Sequence, residues 1–241
     1  MPEGDTIFRI ARTLDRALAG KVVTRFETML PRLERISIRG RTIERVRSSG
    51  KHLIIEFSDG LLLRTHLRMN GSWHLYRSGE RWRRSRDDMR IVIATEDFEA
   101  VGFNIPVAEF GEPPSHGPDL LADSFDAGEA IRRIRENSAS EIANVLLDQR
   151  VLAGIGNIYK SEVLHACGIN PFTPVNALGD DVLQRVVKKA RAMLQRSTRE
   201  RPRFLVYERG GQPCRKCGTR IEYRKQGPDA RTTYWCPKCQ P

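Results

Sequence analysis

Apolar residues recur at helical spacing near the start of the chain, at Ile7, Ile10, Ala11, Leu14 and Leu18, until Gly20 ends the pattern. This predicts one amphipathic helix with Asp5 as its cap. From Lys21 to about Phe110 the period shortens. Runs rich in Val, Ile, Leu, Phe and Thr at residues 22–23, 43–46, 52–57, 61–67, 73–76, 91–95 and 100–103 alternate with turns, Ser58-Asp59-Gly60 among them. These predict a mainly antiparallel sandwich or barrel. Residues 111–118, Gly-Glu-Pro-Pro-Ser-His-Gly-Pro, suit neither helix nor strand and read as a linker. Beyond it the period is helical again, over 130–136, 140–149, 158–166 and 180–197. Strand character returns only at 221–223 and 232–235.

The last two strands are bracketed by cysteine pairs, Cys214-Arg-Lys-Cys217 and Cys236-Pro-Lys-Cys239, with residues 218–235 between them. That spacing suits four thiolates on one zinc ion, each C-x-x-C forming a tight knuckle. With every tetrahedral position filled by protein, the zinc would be structural. Disulfides are the alternative, but no export signal precedes this basic chain, so a reducing compartment is expected. Cys167, left over in an apolar helical run, reads as a buried thiol. The fold class expected is α+β: an N-terminal β-sandwich with its helix over 1–118, a helical domain over 119–209, and a zinc-finger β-hairpin over 210–241.

Charge narrows the partners. The 241 residues carry 41 Lys and Arg against 30 Asp and Glu, a formal +11, which attracts polyanions and nucleic acid above all. No apolar stretch approaches a membrane span. A cytoplasmic protein is expected, nucleoid-associated in a prokaryote.

Two further patterns carry chemistry. Met1 is followed by Pro2-Glu3-Gly4-Asp5-Thr6, so removal of Met1 would leave a secondary amine beside a carboxylate, although Met-Pro is also a common way to begin a chain. An α-amino group titrates near ~7.7–8.0, so a useful share is unprotonated at neutral pH. The turn Leu152-Ala-Gly154-Ile-Gly156-Asn157 precedes a helix that Asn157 would cap, leaving N–H groups free to bind a phosphate.

Several segments, in order from residue 2 to residue 240, carry a resemblance. They are Pro2-Glu3-Gly4-Asp5, Gly50-Lys51-His52-Leu53, Thr65-His66-Leu67-Arg68-Met69-Asn70-Gly71, Leu147-Asp148-Gln149, Leu152 to Tyr159, and Arg231 to Gln240. Together they resemble the formamidopyrimidine-DNA glycosylase and endonuclease VIII family, and Gly4 after Glu3 resembles the endonuclease VIII branch. The resemblance implies a bifunctional DNA glycosylase and AP lyase of base excision repair acting on damaged DNA, with oxidised pyrimidines favoured. Pro2 would form the Schiff base, Glu3 would move protons, and Lys51 would assist base loss or elimination, followed by β,δ-elimination. Asn157 and Arg231 would bind phosphates beside the flipped nucleotide, and Arg68, Met69 and Asn70 would fill the gap it leaves. A monomer suffices for this. Thr6 departs from the glutamate common there, and no Arg-Arg-Phe wedge is visible at 101–104. The rival reading is a noncatalytic, zinc-containing DNA-binding protein. It explains the charge and the cysteines but does not need Pro2, Glu3 or Lys51.

Overall fold

A computed structural model describes residues 2–241. Its backbone divides into two compact units, one formed by Pro2 and Thr6–Pro114, the other by Glu3–Asp5 and Ser115–Pro241.

In the first unit, helix α1 (Gly4–Leu18) turns Ile7, Ala11, Leu14 and Leu18 inward, each nearly fully buried. Burying such a side chain contributes about 1.5–3 kcal/mol, so this one face secures the helix. Asp5 lies inside the first turn, where a cap was expected, because the helix already begins at Gly4. Two four-stranded antiparallel sheets follow. One runs in the order β1 (Arg25–Thr28), β6 (Met89–Ala94), β7 (Phe98–Phe103), β5 (Ser72–Arg77). The other runs β2 (Ile43–Ser49), β3 (His52–Phe57), β4 (Leu62–His66), β8 (Val107–Phe110). Strand alternation sends Ile91, Ile93 and Ala100 of one sheet and Val46, Leu53, Ile55 and Leu63 of the other into a common core with α1, which makes this a sandwich. The opposite face of the β5–β7–β6 sheet carries a smaller cluster of Tyr76, Met89, Val92, Val101 and Phe103.

Strands β1 and β8 and the four-residue helix α2 (Pro31–Glu34) lie where no run was read, since short elements with charged residues leave little period to detect. Conversely, the Val22–Val23 run forms only an isolated bridge, from Val22 to Thr42.

The second unit buries one continuous core among α3 (Ala127–Glu136), α4 (Ile142–Leu147), α5 (Asn157–Cys167) and α6 (Asp180–Ser197). Helix α3 starts three residues before the expected stretch because Asp126 caps it, its carboxylate accepting the Glu129 N–H at 2.9 Å. The chain closes with the antiparallel pair β9 (Glu222–Gln226) and β10 (Arg231–Trp235). Among the described residues no helix is long and apolar enough to cross a membrane.

Candidate functional site

Glu3 begins the second unit, and its side chain is 1% exposed. A carboxylate buried this deeply needs donors. They come from the start of α5: Gly156 N–H donates to Oε2 at 2.9 Å, Ile158 N–H to Oε1 at 2.7 Å, and Tyr159 N–H to Oε2 at 3.3 Å. The helix start expected to bind phosphate is therefore occupied by the protein's own carboxylate. The physics is the same, an anion at the positive end of a helix. The expected cap is also displaced. Gly156 is the cap residue, with no side-chain cap, and Asn157 is the first residue of α5.

Glycine spacing makes this contact possible. A Cβ on Gly156 would lie 2.5 Å from Glu3 Cδ, and one on Gly4 would lie 2.9 Å from Gly154 Cα. The backbones of the two segments approach closely enough for Gly4 N–H to donate to Gly154 O at 2.9 Å. Beside this, the Tyr159 hydroxyl donates to Asp5 Oδ2 at 3.0 Å. Burial pushes the Tyr159 phenol well above its usual range, so it stays a donor.

One turn along, Lys160 is fully buried and donates from Nζ to Thr233 Oγ1 at 2.7 Å. Thr233 donates to Gln226 Oε1 at 2.6 Å, and Gln226 Nε2 donates to Glu141 Oε2 at 2.7 Å. Burial pulls the Lys160 ammonium down to about 8, with Glu3 opposing and Arg231 reinforcing the fall. Asn157 Nδ2 donates to Thr232 O at 2.8 Å, beside Arg231, while its buried Oδ1 has no partner. Glu3, Asn157, Lys160 and Arg231 thus belong to one neighbourhood. Arg231 is exposed at the start of β10, 3.9 Å from Asp229.

The hairpin is tied to α5 at its other end as well. Glu162 accepts N–H bonds from Leu205, Val206 and Tyr207 at 2.8–3.0 Å. The Sγ atoms of Cys214, Cys217, Cys236 and Cys239 all lie within 4.8 Å of one another, with Cys217 to Cys236 at 3.4 Å and Cys214 to Cys239 at 4.0 Å. Tetrahedral Zn–S bonds of ~2.3 Å put sulfurs ~3.8 Å apart, so this cluster fits a metal ion. Its protonation is uneven: Thr219 hydrogen bonds pull Cys217 down to about 6, whereas burial pushes Cys239 up to about 12. A bound cation would draw all four to thiolates. His165 Nε2 lies 3.6 Å from Cys214 Sγ, a second attachment of α5 to the cluster.

Lys51 and the 68–70 trio lie in the first unit. Lys51 occupies the two-residue β2–β3 turn, where Gly50 has φ +56° and Ser49 pairs with His52, the glycine-first form of a tight hairpin. Burial, then Lys51 and Arg68, hold His66 below its usual pKa, so both cations lie near that ring. Met69 is 59% exposed, which sets aside a core role for it. Arg68 has φ +45°, an uncommon backbone state for a non-glycine residue. Pro2 is half-buried, and Met1, whose removal the amine reading needs, lies outside the described residues. Cys167 ends α5 half-buried, 3.9 Å from Arg185 O, more accessible than the buried thiol expected.

Lys160, Glu162, Thr233 and Gln226 were not singled out from the sequence. One signal was there: α5 carries charged residues with no polar stripe, and a helix lacking two faces is buried all round.

Residues 1–105 match the formamidopyrimidine-DNA glycosylase N-terminal domain, and residues 116–203 match the formamidopyrimidine-DNA glycosylase H2TH domain. "Endonuclease 8 2" of Mycobacterium tuberculosis is 39% identical, covering 100% of both chains. "DNA-(apurinic or apyrimidinic site) lyase Nei2" of Mycolicibacterium smegmatis is 37% identical over 100% of this chain and 99% of its own. Among solved structures, a Lactococcus lactis Fpg in complex with DNA containing an abasic site superposes with a TM-score of 0.87 at 24% identity, covering 100% of both chains. Relatives this similar along their whole length leave one conclusion: the chain belongs to the formamidopyrimidine-DNA glycosylase and endonuclease 8 family.

Proposed function

We propose that the chain is a bifunctional DNA glycosylase and AP lyase of base excision repair, acting on damaged DNA with oxidised pyrimidines favoured. With Met1 removed, the Pro2 nitrogen attacks C1′ of an extruded nucleotide. The N-glycosidic bond breaks and the base leaves with the proton of the amine; the C1′–O4′ bond then opens, O4′ taking a proton, so that an iminium joins protein to sugar. The iminium draws electrons from the C2′–H bond. Loss of that proton expels the 3′ phosphate by cleavage of C3′–O, and a second elimination expels the 5′ phosphate.

The observation that carries this reading is the burial of the Glu3 carboxylate, next in the chain to Pro2, on three backbone N–H groups. Donors in that arrangement fix a carboxylate next to the amine, where protons must be moved. Lys51 assists from its rigid turn. Exposed Met69, with Arg68 and Asn70, fills the gap in the stack.

Asn157 and Arg231 take the phosphates flanking the lesion. The Asn157 amide donates one N–H to the Thr232 carbonyl, and the Tyr207 phenol lies within hydrogen-bonding reach of its side chain. The cysteine cluster holds one structural zinc ion, which keeps Arg231 on its strand. Residues 1–118, 119–209 and 210–241 act as the catalytic, helical and zinc-hairpin domains of a cytoplasmic monomer.

Borohydride reduction of the protein on abasic and oxidised oligonucleotides tests the proposal. A trapped adduct on Pro2 is expected. Binding without any adduct, from protein starting at Pro2 and loaded with zinc, would favour the noncatalytic reading instead.

A further inference from the structure

The connection from β5 to β6 carries four arginines within six residues, Arg81, Arg83, Arg84 and Arg86. A loop of that composition is ordinarily a solvated tether. Here it is fastened to the sheet. Trp82 turns inward onto the outer-face cluster, its ring 5.9 Å from that of Phe103, and its Nε1–H donates to Glu99 Oε2 at 3.1 Å. Arg83 N–H donates to the Tyr76 hydroxyl at 3.1 Å, and that hydroxyl lies 2.9 Å from His74 Nδ1. Beyond Arg84, Ser85 Oγ accepts the Asp87 N–H at 3.2 Å and starts a short 3-10 turn, Arg86–Asp88.

The backbone is therefore held on both sides while the guanidinium groups face solvent. Arg83 is 80% exposed and Arg86 is 73% exposed. Their charge is little neutralised: Arg83 reaches Glu80 only at 4.0 Å and Arg86 reaches Glu27 at 3.4 Å. Among the described residues Arg81 and Arg84 make no ion pair. Like charges gathered on a fixed loop repel one another, and the pairs to Glu80 and Glu27 offset only part of that repulsion. A polyanion would offset more.

The loop also borders the wedge segment. Arg84 lines a cleft of about 940 Å³ together with Arg68, Met69, Asn70, Arg90 and Asn104. Arg68 and Asn104, at φ +45° and +49°, both have left-handed backbones, a conformation that needs support from surrounding structure.

We propose that the 81–86 loop grips phosphates of the intact strand, opposite the extruded nucleotide. This rests on the glycosylase reading. There, Met69 fills the gap left by the lesion, so its tip meets the base that has lost its partner, and the cleft at its flank faces the strand that stays stacked. Asn157 and Arg231 serve the lesion strand, which leaves the intact strand to these arginines. A guanidinium can bond two phosphate oxygens at once, and a loop already fixed loses little entropy on binding.

The test compares wild type with Arg81→Ala/Arg83→Ala/Arg84→Ala and with the matching triple lysine variant. Each binds an abasic-analogue duplex, and the lesion strand alone, across a salt series. For the alanine variant, duplex affinity should fall roughly tenfold or more, and the slope of log K against log salt should flatten by about 0.9 for each phosphate that no longer meets a guanidinium. The lysine variant should keep most of the slope, which separates charge from folding, and the lesion strand alone should bind all three proteins equally. An unchanged duplex slope, or an equal loss on the single strand, would overturn the proposal. Wild-type borohydride trapping reports separately on the glycosylase reading: its absence would sink that reading, whereas normal trapping with an unaltered slope would sink only the loop.

Discussion

Gly156→Ala isolates the positioning of Glu3. Gly156 has φ −125°, extended backbone that alanine adopts without strain, so the substitution acts only through its new methyl group. That carbon would lie 2.5 Å from Glu3 Cδ and Oε1 and 2.8 Å from Cγ. Ordinary separation between carbons is ~3.5 Å or more, so the carboxylate must retreat by about 1 Å. The backbone of α5 cannot follow it, being held by its own helical bonds, and the three N–H bonds to Glu3 lengthen or break together. A displacement of about 1 Å in a positioned group can slow catalysis by about a hundredfold. DNA affinity should change little, because the methyl group meets Glu3 and no residue assigned to phosphate. Single-turnover cleavage of an abasic-site duplex, alongside anisotropy binding to a non-cleavable analogue, separates the two quantities. Wild-type turnover in Gly156→Ala would refute the claim that the α5 start positions this carboxylate for chemistry.

Other perturbations probe the remaining parts. Pro2→Gly, or an uncleaved N-terminal tag, should depress borohydride trapping more than DNA binding, as seen by comparing adduct yield with Kd; equal trapping by a stably tagged protein would count against the amine. Cys236→Ser or chelation should weaken DNA binding, measured by anisotropy against metal content, because the strand bearing Arg231 loses its anchor. Unchanged affinity in metal-free protein would reject that coupling. For Lys160 the sign follows from linkage. Its pKa falls from 10.5 to about 8 on folding, so between those values the unfolded chain binds more protons and stability rises with pH. Relative to Lys160→Met, wild type should therefore gain about 3 kcal/mol or less between pH 8 and 10.5, read from urea midpoints. Parallel pH profiles for the two proteins would show that Lys160 is not a buried cation in solution.

Periodicity reveals an element when the element is long and faces one core. Helix α6 lies where its apolar spacing puts it, and α1 repeats Ile7, Leu14 and Leu18 against the same wall. The cysteine knuckles were legible for a related reason, since ligand spacing is local and the chemistry of thiolates admits few uses. What could not be read was long-range polar pairing. Glu3 looks like a solvent-facing residue before a helix, and its partners lie more than 150 positions away, at 156, 158 and 159. Nothing in local propensity distinguishes a helix start that waits for a phosphate from one already filled by a carboxylate.

The same holds for the polar run through Lys160, Thr233, Gln226 and Glu141, and it decides how the site is built. Each member is costly to bury alone and tolerable only when all are satisfied together. Such a run specifies one docking of the hairpin on α5, whereas apolar packing would permit several. The start of α5 holds Glu3, its first turn holds Asn157 on Thr232, its middle holds Lys160 on Thr233, and its last turns hold Glu162 and His165 against the segment leading to the cysteines. One eleven-residue helix thus sets the carboxylate proposed for chemistry and the strand that carries Arg231 in a single frame. Weakening the run at Thr233 should therefore loosen the grip of Arg231 on DNA while leaving in place the Glu3 hydrogen bonds, which come from the backbone of α5 itself.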